Sequence, residues 1–72
     1  MNDFTEYEGR VLDAFREKNI RAGESIGENL LIDISPAQRR YDATESLIAR
    51  GVLERKRDRL FVTEHGEAVL YS

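Results

Sequence analysis

The stretch Leu47-Ile48-Ala49-Arg50-Gly51-Val52-Leu53-Glu54-Arg55-Lys56-Arg57-Asp58-Arg59-Leu60-Phe61-Val62-Thr63 contains three changes of pattern that decide the fold. Helical spacing ends at Gly51, a residue able to take the left-handed conformation that closes a helix. Two β-prone runs, Val52-Leu53-Glu54 and Leu60-Phe61-Val62, then flank the polar segment Arg55 to Arg59 and predict a hairpin. Thr63 opens a last short helix through Leu70, with Ala68, Val69 and Leu70 packing back and Glu64 and Glu67 complementing the dipole.

Upstream of Gly51, Ser35-Pro36-Ala37-Gln38 is a helix start: serine at the N-cap, proline at the first position and glutamine closing a capping box. The helix is expected over residues 36–50. Ala37, Tyr41, Thr44, Leu47 and Ile48 form its expected buried stripe. Arg39, Asp42, Ala43, Ser46 and Arg50 project outward. Arg40 falls nearer the buried side, its stem covering apolar surface.

A first helix is predicted from about Thr5 to Lys18. Thr5 and Glu8 have capping-box spacing. Phe4, Tyr7, Val11, Ala14 and Phe15 share one side, with Leu12 at its margin. Glu6, Arg10, Asp13, Arg16 and Glu17 make a solvated face. Between the two helices, Ile20-Arg21-Ala22 suits a short edge strand. Ser25 and Glu28 repeat the capping-box spacing, so a second helix is expected over Ser25 to Leu31, weakened by Gly27 by about 1 kcal/mol. Tyr41, Tyr7, Phe4, Phe15 and Phe61 are expected in the core. Tyr71, near the end, is available to a partner.

The expected fold class is mainly α with a small β-hairpin (α+β), one domain over residues 1–72. A chain this short buries only about 60% of the surface its unfolded form exposes. It has no cysteine and one histidine, His65, so disulfides and a clustered metal site cannot staple it. No basic run precedes an apolar stretch in Met1-Asn2-Asp3-Phe4, and Leu30-Leu31-Ile32 is too short to span a bilayer. A cytoplasmic, membrane-free protein is expected. His65 has no ligand constellation around it, and no phosphate loop, nucleophile elbow or carboxylate pair is present. Neither enzyme, cofactor nor metal is expected.

Net charge is −3. Residues 1–34 carry eight acids against four bases, and residues 35–72 six acids against seven bases. Four of those bases sit in Arg55-Lys56-Arg57-Asp58-Arg59, a concentration able to steer a phosphate backbone despite an acidic whole.

The order helix, short strand, helix, helix, hairpin, short helix resembles a winged helix-turn-helix. The segment Leu47 to Arg55 is similar to the end of a recognition helix and the first wing strand in bacterial regulators of the MarR and PadR kind. Leu60 to Leu70 is similar to their second wing strand and following helix. The resemblance implies a transcription-regulator module binding double-stranded DNA. Helix 36–50 would enter the major groove with Gln38, Arg39, Asp42, Ala43 and Ser46 on its groove side. The wing would contact phosphates through Arg55, Lys56, Arg57 and Arg59. Such families usually dimerise through extra helices outside the winged domain; here only residues 1–18 and 63–72 are available for a homodimer through terminal helices. The alternative is a protein-interaction winged helix, docking a partner through the helix 36–50 face or the acidic first helix.

Overall fold

The computed structural model describes residues 3–72; Met1 and Asn2, part of the N-terminal stretch read above, lie outside them. The described residues form a small α+β domain of three helices and a three-stranded antiparallel sheet. Helix α1 spans Glu6–Glu17, strand β1 Ser25–Gly27, a single 3-10 turn Glu28–Leu31 and helix α2 Ala37–Ala49. Strands β2, Leu53–Lys56, and β3, Arg59–Val62, precede helix α3, Glu64–Tyr71.

The capping box at α1 forms in both directions: Glu8 N donates to Thr5 Oγ1 and Thr5 N donates to Glu8 Oε1. Thr63 caps α3 by accepting from Gly66 N. Gly51, at φ 77°, follows the end of α2 in the left-handed conformation expected of it. The hairpin also forms, with β2 and β3 longer than predicted because Arg55, Lys56 and Arg59 are ladder residues. Only Arg57 and Asp58 remain as the turn.

Ser25 to Leu31 is not a helix. Ser25, Ile26 and Gly27 pair antiparallel with Phe61, Leu60 and Arg59, giving the sheet order β1-β3-β2. Pairing places Ile26 in the core beside Leu60, a burial that one helical turn interrupted by Gly27 would not outweigh. The expected strand at Ile20-Arg21-Ala22 does not form: Ile20 and Arg21 are irregular, Ala22 begins a turn, and the edge strand lies a few residues later. Ser35 does not cap α2; Pro36 occupies the N-cap and offers no side-chain acceptor.

One core joins every element. Val11, Leu12 and Phe15 of α1 meet Leu31, Leu47, Val52, Leu53, Leu60, Val62 and Leu70. Leu12 is fully inside this core, not at its margin. Gly66 lets α3 sit against the chain leaving α2, because a Cβ there would lie 2.0 Å from the Val52 carbonyl oxygen. Among the described residues, no helix is long and apolar enough to cross a membrane.

Candidate nucleic-acid interface

Helix α2 is rotated from the expected face. Thr44 and Leu47 are buried as expected, but Ala43 is only 5% exposed as well, whereas Tyr41 is 56% exposed and Ala37 lies at the surface. The cause is the packing of α2 on α1. Ser46 is half-buried and donates to Glu8 Oε2 at 2.6 Å, which draws the Ala43–Ser46 side of α2 toward the first helix. Glu8 is itself 2% exposed and also faces Arg50 Nη1 at 3.6 Å. Burial pushes its carboxyl up, but the bonds from Ser46 and Thr5 and the Arg50 charge outweigh this and hold it below the usual value. Arg50 stacks over the Phe4 ring at 4.2 Å. Ala43 and Ser46 therefore serve the α1–α2 contact, and with Arg39, Asp42 and Arg50 they line a surface cleft of about 420 Å³ beside it.

Arg55 is also placed differently from its prediction. It points back from β2, its Nε 2.6 Å from Glu28 Oε2 and its Nη1 bonded to Glu45. These bonds, the one to Glu28 first, raise its pKa and fix its charge. The clamp joins the 3-10 turn, α2 and the hairpin beside a cleft of about 270 Å³ that Ile32, Tyr41 and Thr44 also line.

Six of the expected residues remain exposed: Gln38, Arg39 and Asp42 on α2, Lys56 on β2, Arg57 at the hairpin turn and Arg59 on β3. Lys56 lies 3.8 Å from Glu54 and over the Phe61 ring. Gln38 Nε2 donates to Asp42 Oδ1 at 2.9 Å. Arg59 Nε donates to Ser25 Oγ, and Arg40 Nη1 donates to the carbonyls of Ile32 and Ile34. Arg39 and Arg57 have no side-chain hydrogen bond or ion pair among the described residues.

Sequence reasoning missed Leu30, Ile32 and Tyr41, the exposed large apolar side chains among the described residues. The expected α2 stripe had assigned Tyr41 to the interior. No group of three or more potential metal ligands occurs among the described residues. No family model, curated protein or solved structure matches the chain.

Proposed function

We propose that the chain is a winged-helix module that binds double-stranded DNA, with the first turns of α2 in the major groove and the β2–β3 hairpin on the phosphate backbone. The element order and the sheet order β1-β3-β2 support the winged-helix reading, with the second helix reduced to one 3-10 turn.

The observation that carries the reading is the placement of unneutralised cations. Among the described residues, the cations without a carboxylate partner are Lys18, Arg39, Arg40, Arg57 and Arg59. All but Lys18 lie on the first turn of α2 or on the hairpin. Arg57 adds a second argument. It holds φ 59° at the turn, where glycine or asparagine fits with less strain. A long cation kept at such a position is accounted for if its charge is used. Asp42 on α2 and Asp58 at the hairpin turn carry the opposite charge on the same two elements, so binding should be weak and sensitive to salt. Titrating the chain with mixed-sequence duplex at low and high salt tests the reading. Affinity that falls with salt supports it, and no binding at low salt refutes it.

A second reading, a protein-docking winged helix, is favoured by the exposure of Leu30, Ile32 and Tyr41. It requires that Ile32→Asp abolish capture of a partner and that Arg57→Glu leave that capture intact.

A further inference from the structure

We infer that Asp42 is a positioning residue that sets the Gln38 amide to read adenine, an inference that rests on the DNA reading above. Gln38 lies in the first turn of α2, where a groove-binding helix presents side chains to base edges. A free glutamine amide can flip and so present its donor and acceptor in either order. Asp42, one turn on, removes that freedom. Its ionised carboxylate only accepts, so the NH2 end of Gln38 must face it, as the 2.9 Å bond from Gln38 Nε2 to Asp42 Oδ1 records. One amide hydrogen is then taken. The carbonyl oxygen and the other hydrogen stay available, and both residues are exposed to a ligand.

An acceptor beside a donor matches the adenine N6 amino group and N7 in the major groove. Guanine offers two acceptors there and would leave the Gln38 carbonyl facing O6. Asp42 thus has a use that its charge alone opposes. It costs attraction to phosphate and supplies base preference in exchange.

The test is selection of bound duplexes from a randomised pool by the whole chain, followed by sequencing, with thermal melts as a fold control. The wild type should enrich adenine at one position by about 5- to 150-fold, the range expected for one bidentate pair. Gln38→Ala should lose that enrichment. Asp42→Ala should weaken it while binding the unselected pool at least as well as the wild type, since a negative charge has gone. Asp42→Glu, which keeps an acceptor at the same helical spacing, should retain much of it. A merely structural Asp42 would instead lower the melting temperature and all DNA binding together, with the base preference unchanged. That result overturns the inference, as does a wild-type preference that survives Gln38→Ala. If the folded wild type retains no duplex even at low salt, the DNA reading itself fails and the inference with it.

Discussion

Arg55 Nε lies 2.6 Å from Glu28 Oε2, and through this contact the hairpin is fastened to the 3-10 turn that precedes α2. The same guanidinium reaches Glu45, so one cation holds two acids from separate elements. Arg55→Glu would bring three carboxylates together. It should cost about 1–3 kcal/mol, below the figure for a fully buried pair because each side chain is about a third exposed. Arg57→Glu, at the turn, should change stability by less than about 0.5 kcal/mol. Urea denaturation of the two variants checks this, and equal losses would contradict the division between clamp and turn.

Two glycines should respond in opposite directions to alanine. At Gly66 a Cβ would overlap the Val52 carbonyl, which is backbone and cannot swing aside, so Gly66→Ala should cost at least about 2 kcal/mol. At Gly9, inside α1, nothing lies within 4 Å of an added Cβ. Gly9→Ala should therefore stabilise the fold by about 0.5–1 kcal/mol through helix propensity. Denaturation midpoints measure both, and a stabilised Gly66→Ala protein would show that α3 docks elsewhere.

Acid should act through Glu8. Its carboxyl is held below its ordinary value of 4.5, so the folded form binds its proton less readily than the unfolded form does. The stability this contributes is present above about pH 4.5 and is lost as pH falls through the lower folded value. Glu8→Gln should be less stable than the wild type at pH 7 and show a flatter decline below pH 4.5. Ser46→Ala removes a hydrogen bond to that carboxylate and should cost about 0.5–1.5 kcal/mol. Parallel acid profiles for wild type and Glu8→Gln would exclude Glu8 as a source of the pH dependence.

Much of the architecture was legible because it depends on local chemistry. Thr5 and Glu8, Thr63 and Gly51 carry their capping roles in residue type and spacing, and all act as expected. Ser25 and Glu28 had the same spacing and misled, because strand pairing with β3 is a contact 32 to 36 residues away that no local pattern records. The face of α2 was misjudged for a related reason. Ala43 and Ser46 are small, a property that suits a groove and equally suits close approach to α1. Ser46 could be assigned only once its partner Glu8 was known, 38 residues upstream. Arg55 looked like the other wing bases until the strand register turned it toward Glu28 and Glu45.

The salt dependence of duplex binding tests the central claim most directly, measured for the wild type and for a variant carrying Arg39→Ala and Arg57→Gly. Glycine suits the positive φ at position 57, so this variant should fold at least as well at the turn while losing two cations that are unpaired among the described residues. If the unpaired Arg39, Arg57 and Arg59 each neutralise one phosphate, log affinity should fall with log salt at a slope of about −2.7 in the wild type and about −0.9 in the variant. Equal slopes, or wild-type affinity that does not change with salt, would contradict the account.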